Sequence, residues 1–397
     1  MNICGRIPSV IWGTCWFNES VDTIVSFVND TQRILLNMDI RFSFIVFDAK
    51  FNRNPSYREY LKKQITGHII VCEENRYPNK NLGVSIITEI AHISEADIVA
   101  VVDSDWKISN FERFVLGLLF PVITGTNDVV FPDIVSFAGR DNYLVGIPIL
   151  RLFFPKLNNK IKTPFPGAFA GVTEKIHKIT SSSDYHYDWG GEWDLVSGSE
   201  KYGLRVAAPA LGMRNIRHRS SYSKTSDAYQ IWRACFQGID VEKLNRIADE
   251  CHTFNIDTYT ETLFPYIQLK GCASAQSEIF ISLSKTISIS ATIRQLLNMV
   301  LMPLSLILDG DDISAICTIP DGDVSSPYDR KELNIASEIV EYSVIEALKY
   351  SKLPLAIVSD HAKALSGGFM GDWSLMDYNH VRDTLMCQVK GVDIKWT

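Results

Sequence analysis

The feature that most constrains this chain is a buried-strand signature in its first third. Asp97 to Val102 is an apolar, β-branched run that stops abruptly at Asp103-Ser104-Asp105. A strand that is apolar on both faces belongs inside a parallel sheet covered by helices, because only there are both faces shielded from water. The neighbouring segments repeat the pattern. Val10 to Cys15, Phe42 to Phe47, Ile69 to Cys72 and Asp128 to Phe131 read as strands, while Val21 to Leu36 and Val84 to His92 carry apolar residues at helical spacing. This alternation predicts an α/β fold with a mainly parallel sheet. Ligands of such sheets gather beyond the carboxyl ends of the strands, where Thr14, Asp48 and Asp103 all fall.

The pattern loosens after about Lys224. Asp227 to Phe236, Val241 to Glu250 and Glu332 to Tyr350 read as helices, with an acidic loop at Asp309 to Asp312. The chain has 397 residues, room for a catalytic domain over residues 1–225 and a mostly helical C-terminal domain over 226–397. Its formal net charge is -7, so it lacks the basic excess that drives general polyanion binding, and a nucleic-acid partner is not expected.

Cys4, Cys15, Cys72, Cys235, Cys251, Cys272, Cys317 and Cys387 are scattered with no Cys-x-x-Cys pair, which reads as reduced thiols in a cytoplasmic protein. The N-terminus runs into a strand without the charged-then-apolar order of a signal segment. Ile287 to Leu308 is the most apolar later stretch, but Arg294, Gln295, Asn298 and Pro303 interrupt it. A bilayer span needs ~20 nearly unbroken apolar residues, so a buried helix is expected rather than membrane association. A homo-oligomer stays open.

Three fragments could carry chemistry. Asp103 and Asp105 place two carboxylates at the end of a buried strand. Mg²⁺ or Mn²⁺ is held in this way, by one or two carboxylates plus waters and substrate phosphates. The same residues also suit a solvated turn that caps the next helix. In Asp188-Trp189-Gly190-Gly191-Glu192-Trp193-Asp194, glycines flanked by carboxylates and indoles fit a sugar site, or equally a tight turn opening a helix at Trp193. In Arg214-Asn-Ile-Arg217-His218-Arg219, an imidazole could complete a metal site, although a lone histidine usually does not. Thr163 to Gly171, which includes Gly167, reads as a tight loop leading into a helix, either substrate-shaping or structural. Lys80 precedes a helix start where anions can sit, or is a surface lysine.

Taken together, these motifs resemble the retaining GT-A glycosyltransferases that make mannosylglycerate and glucosyl-3-phosphoglycerate, over roughly residues 8–225. The likeness implies a Rossmann-like nucleotide-diphospho-sugar transferase domain. In it, Phe17-Asn18-Glu19 resembles the nucleotide-binding loop that follows the first strand, beside Thr14, and Asp48 takes the place of an acidic contact to the nucleoside. Pro78-Asn79-Lys80-Asn81-Leu82-Gly83 resembles the donor-contacting Pro-Gly-Lys-Gly loop, and Asp103-Ser104-Asp105 the metal-binding DxD motif. Asp188-Trp189-Gly190 matches a family Asp-Trp-Gly, with His218 at the spacing of the family's metal-binding histidine.

By resemblance, Asp105 and His218 bind the metal, and Asp103 contacts the donor ribose or the metal with its water shell. Ser104 and Gly167 would belong to the donor site, with Asp188 and Glu192 near the transferred sugar or acceptor. Arg140 would meet the acceptor's carboxylate. The family's Pro-Leu-Gly/Ser-Gly-Glu loop reads Pro164-Phe-Pro-Gly167-Ala168 here and lacks the acidic residue.

The expected partners are therefore a nucleoside diphosphate sugar, of the GDP-mannose or UDP-glucose type, and a small hydroxyl acceptor such as glycerate or phosphoglycerate. The expected reaction is a metal-dependent hexosyl transfer with retention. Several alternatives stay open at this stage. One is a glycosyltransferase with a polysaccharide, lipid-linked or nucleobase acceptor. Others are a sugar nucleotidyltransferase and an inactive nucleotide-sugar-binding protein.

Overall fold

The computed structural model describes residues 7–38, 40–50, 52–72, 80–134, 142–214, 230–235, 267–270, 280–283, 337–338, 340–341 and 378–397. The chain divides into two compact units. One comprises Met1–Ala138, Asn159–Ile216 and Met376–Thr397, and the other Gly139–Asn158 and Arg217–Leu375. The expected boundary near residue 225 falls outside the described residues.

The first unit is the expected α/β fold. Its elements follow as β1 (Ser9–Trp16), α1 (Val21–Leu35), β2 (Arg41–Asp48), α2 (Pro55–Lys62), β3 (Gly67–Val71), α3 (Lys80–Ile93) and β4 (Ile98–Val102). These four strands pair in parallel, in the order β3-β2-β1-β4. All residues of β1 and β4 are buried, as continuous apolar strands covered on both faces should be. Local chemistry fixes the helix starts. Ser20 caps α1 by accepting from the Thr23 amide at 3.1 Å, and Asn54 caps α2 just ahead of Pro55 in the first turn. Helix α3 is buried along nearly its whole length. It comes close to the sheet at Gly83, where a Cβ would stand 2.6 Å from both Cys15 Sγ and the Phe47 ring.

After β4 come β5 (Lys107–Ile108), α4 (Phe111–Ile123), β6 (Val129–Val130) and β7 (Asp133–Ile134). The chain then passes through the second unit and returns. Thr163 to Gly171 is not wholly a loop. Ala168–Val172 forms a strand, β8, and α7 (Thr173–Thr180) follows it. The buried Ala168-Phe-Ala-Gly segment finds its partners on both sides, since β8 pairs antiparallel with β4 and with β6. α8 (Gly191–Lys201), β9 (Val206–Ala207) and β10 (Ala210–Arg214) complete the run. The main sheet then has seven strands in the order β3-β2-β1-β4-β8-β6-β9, and a smaller sheet has the order β5-β10-β7. The chain's last segment also belongs to this unit. Arg382 reaches Ser85 Oγ of α3 at 3.4 Å, and Thr397 bonds through its amide to the Phe42 carbonyl at 3.1 Å.

In the second unit the described residues include a π-helical turn, Asn142–Gly146, and two short helices, α5 (Ile147–Phe153) and α6 (Pro155–Asn158). They also include an antiparallel pair, β11 (Ile267–Lys270) with β12 (Phe280–Leu283). Arg151 and the buried Glu341 form an ion pair at 2.7 Å. Residues 230–235 are helical, within the expected Asp227 to Phe236 helix. Val241 to Glu250, Ile287 to Leu308 and Asp309 to Asp312 lie outside the described residues, as does most of Glu332 to Tyr350. Among the described residues no helix is long and apolar enough to cross a membrane.

Candidate functional site

The parallel pairing of β1, β2 and β4 brings three polar strand ends to one edge of the sheet. Trp16 is the register partner of Asp48, and Gly13 that of Val101. Thr14 and Asp103 stand just beyond the second pair. Asp103 is anchored through its amide, which donates to the Gly167 carbonyl at 3.0 Å. Gly167 has φ +67, and a Cβ there would lie 2.6 Å from both Asp103 Oδ2 and Trp106 Nε1. Only glycine tolerates this backbone and this approach together.

Lys80 opens α3 and is buried. Its ammonium lies 2.9 Å from Asp103 Oδ2 and also contacts Glu192, which sits in the first turn of α8. Burial alone would push the Lys80 ammonium down, but the Asp103 and Glu192 carboxylates more than offset this and hold it above the ordinary lysine range. Asp103 is pushed up, first by burial and then by the nearby Asp105 and Glu192, despite the opposing pull of Lys80. Glu19 is raised too, chiefly by burial and further by Asp105, against the backbone amide bonds that favour its charged form. The strand edge therefore concentrates negative charge that one ammonium offsets only in part. Lys80, Asn81, Asp103, Gly167 and Glu192 line a cleft of about 330 Å³ that includes its solvent-open mouth.

The Asp188 segment stands beside Lys80 and Asn81. Asp188 is buried, its Oδ1 accepting from the Gly190 amide at 2.8 Å and its carbonyl from the Asn81 side chain. It thereby ties the start of α8 to the start of α3. The Trp189 ring lies 5.5 Å from the Lys80 ammonium, within cation–π reach. Three buried polar atoms at this edge, Thr14 Oγ1, Ser104 Oγ and Trp106 Nε1, have no hydrogen-bond partner among the described residues. Such orphans are uncommon in folded proteins and point to groups kept for a ligand or water.

Asp48 and Glu19 are engaged in shaping the loop after β1. The carboxylate of Asp48 is fully buried and takes Arg53 Nε at 2.9 Å and Arg58 Nε at 2.6 Å. Arg53 also donates to the Trp16 and Phe17 carbonyls and stacks 3.6 Å from the Trp16 ring. Glu19 Oε2 accepts from the Phe17 amide at 2.8 Å. Of the residues read from the sequence, Thr14, Glu19, Lys80, Asp103, Ser104, Asp105, Gly167, Asp188 and Glu192 are gathered around the ends of β1 and β4, with Asp48 directly behind. Arg140 and His218 lie outside the described residues. Sequence reasoning passed over Arg53, Asn81 and Trp106, although Trp106 directly follows the Asp-Ser-Asp triplet.

Among the described residues no group of three or more His, Cys, Asp or Glu is arranged to hold a metal ion. Asp103 and Asp105 nonetheless fit a hard divalent cation. They supply oxygen donors, and Asp103, raised first by burial and further by the nearby Asp105, is a carboxylate whose charge such an ion would stabilise.

No protein-family model and no curated protein matches the chain. Several solved structures resemble it. Glucosyl-3-phosphoglycerate synthase from Mycobacterium tuberculosis, in complex with Mn²⁺, UDP-glucose and phosphoglyceric acid, has a TM-score of 0.47 at 22% identity, over 60% of this chain and 82% of that one. Mannosyl-3-phosphoglycerate synthase from Rubrobacter xylanophilus has a TM-score of 0.47 at 15% identity, over 72% and 88%. A mannosyltransferase from Pyrobaculum calidifontis, in complex with GDP-mannose and Mn²⁺, has a TM-score of 0.39 at 11% identity, over 98% and 88%. At these scores and identities no property is carried over from them, and both fold and chemistry are read from this chain's own elements and side chains.

Proposed function

We propose that the chain is a divalent-metal-dependent, retaining hexosyltransferase. In this reading it moves a sugar from a nucleoside diphosphate to a small hydroxyl acceptor such as glycerate or phosphoglycerate. One observation carries the reading: Asp103 and Glu192 both contact the Lys80 ammonium at the carboxyl end of β4, with Asp105 acting on Asp103, beside buried hydroxyls that have no partner among the described residues. Surplus carboxylate with a lysine within reach suits a metal–diphosphate pair better than either partner alone.

Asp103 and Asp105 would hold Mg²⁺ or Mn²⁺, with His218 as a further ligand. When bound, the ion supplies positive charge that stabilises the departing diphosphate. Lys80 is close enough to Asp103 to turn its ammonium to a phosphate oxygen, and the start of α8 sets Glu192 beside it. Asp188 holds that helix start in place and Trp189 offers an apolar wall for a sugar ring. In a front-face transfer the acceptor oxygen bonds to the anomeric carbon as the bond to phosphate breaks. The acceptor proton passes to the leaving phosphate oxygen, so no protein nucleophile is required.

The test is thermal stabilisation by UDP- and GDP-sugars with Mn²⁺, followed by a transfer assay with glycerate and 3-phosphoglycerate. At least one nucleotide sugar should raise Tm, and Asp105→Ala should stay folded while losing metal-dependent transfer. Undiminished transfer by that variant overturns the metal assignment, and no stabilisation by any nucleotide sugar overturns the reading itself.

A further inference from the structure

We propose that Trp106 is a specificity-determining residue that, together with Asp103, reads one hydroxyl group of the sugar nucleotide. The inference rests on the nucleotide-sugar reading above and adds a residue to it. Trp106 follows Asp105 directly and precedes β5, whose pairing with β10 (Ile108 with Met213, Lys107 with Arg214) fixes the backbone there. Its indole nitrogen is buried and has no hydrogen-bond partner among the described residues. An indole N–H is a donor only, and a protein seldom buries one without an acceptor.

Gly167 shows what stands beside that donor. The point at which a Cβ would stand is 2.6 Å from Trp106 Nε1 and 2.6 Å from Asp103 Oδ2. Any side chain there would collide with both groups, so it is glycine that lets the two stand side by side. A donor and a carboxylate oxygen side by side select a group that both accepts and donates. A hydroxyl does this, taking the indole proton on its oxygen and giving its own proton to Asp103. A phosphate oxygen has no proton to give and would be repelled by the carboxylate. The ligand feature is thus a hydroxyl of either the ribose or the hexose.

Trp106→Phe keeps an aromatic ring and removes the N–H. Binding would be measured calorimetrically with Mn²⁺ and whichever nucleoside diphosphate sugar stabilises the wild type. The variant should bind about five-fold more weakly, as loss of one neutral hydrogen bond implies. That penalty should vanish for the analogue lacking the hydroxyl that is read: a 2′- or 3′-deoxyribose analogue if the ribose is read, a deoxyhexose analogue if the sugar is. The wild type alone provides a second arm, because it should discriminate against that same analogue. Wild-type affinity in the variant overturns the proposal, as does a loss that persists with every deoxy analogue, which would mark a packing role. If the wild type binds no nucleotide sugar, the parent reading falls and this one falls with it. If the wild type binds and Trp106→Phe is indifferent, only this one does.

Discussion

The ammonium of Lys80 stands 2.9 Å from Asp103 Oδ2, joining the first residue of α3 to the end of β4. Two consecutive elements thus share one buried charge, and Glu192 of α8, remote in sequence, shares it with them. Cation and anions are mutually dependent. Without the carboxylates, burial would pull the lysine down, and without the lysine Asp103 would be still harder to ionise.

Lys80→Met should therefore damage stability and binding together. It leaves Asp103 and Glu192 without their counter-charge. Breaking a buried pair costs about 3–5 kcal/mol, but the partly open cleft lets water replace some of it, so roughly 1–3 kcal/mol is expected. Urea unfolding gives the stability term and calorimetry with Mn²⁺ and a nucleotide sugar gives the binding term. A variant with wild-type stability would show that the contact is only a surface pairing.

Arg53 supports the loop after β1 from behind. It is buried, pairs with Asp48, donates to two carbonyls of the Trp16–Phe17 turn and stacks on Trp16. Arg53→Ala should cost about 2–4 kcal/mol, since Arg58 still holds one Asp48 oxygen and the Ala49 amide still meets the Trp16 carbonyl, while the other Asp48 oxygen and the part-buried Phe17 carbonyl lose the guanidinium. Arg53→Lys should recover little, because an ammonium cannot reproduce the fork. Chemical denaturation of the pair of variants checks both statements, and full rescue by lysine would contradict them.

Gly167→Ala separates backbone strain from intrusion into the site. Gly167 (φ +67) and Gly203 (φ +64) share a left-handed backbone, but a Cβ at Gly203 meets nothing within 4 Å. Both alanine variants should lose about 1–2 kcal/mol from the backbone. Only the one at Gly167 should also displace Asp103 or Trp106, and it should weaken nucleotide-sugar binding at least about ten-fold. Equal binding by the two variants would show that the placement of Asp103 and Trp106 against Gly167 does not matter to the ligand.

The strand ends were legible because burial on both faces leaves an unbroken apolar run, as in Phe44 to Phe47 and Ile98 to Val102, that stops at a carboxylate. What the site does with those ends was not legible. A lysine after Pro78-Asn79 looks the same in sequence whether it is solvated or buried between carboxylates, since its burial depends on where β4 and α8 end. Asp48 likewise gave no sign that Arg53 and Arg58 would take both its oxygens. In sequence β8 resembles loop, because Pro164, Pro166 and Gly167 dominate its approach and Ala168-Phe-Ala-Gly is short and poor in strand formers. Its identity as a strand comes from pairing with β4 and β6, a long-range fact.

Asp128 provides a pH signature away from the ligand cleft. Its buried carboxylate accepts from the Arg205 amide at 2.9 Å and from that residue's guanidinium, and it pairs with Lys175 at 2.8 Å. The Arg205 bonds outweigh burial, and with Lys175 they hold the carboxyl well below the ordinary value of 3.8. A depressed folded-state carboxyl stabilises the fold at every pH above its unfolded value and loses that contribution as pH falls through the folded value. Asp128→Asn should thus cost about 1–2 kcal/mol at pH 7, where the backbone bond to the charged oxygen is lost and the two exposed cations add little. The gap between wild type and variant should narrow steadily as the pH falls below about 4. Urea unfolding of both proteins at pH 7 and pH 3 measures it. A gap of the same size at both values would mean that Asp128 acts through shape and hydrogen bonding alone, and that its charge contributes nothing.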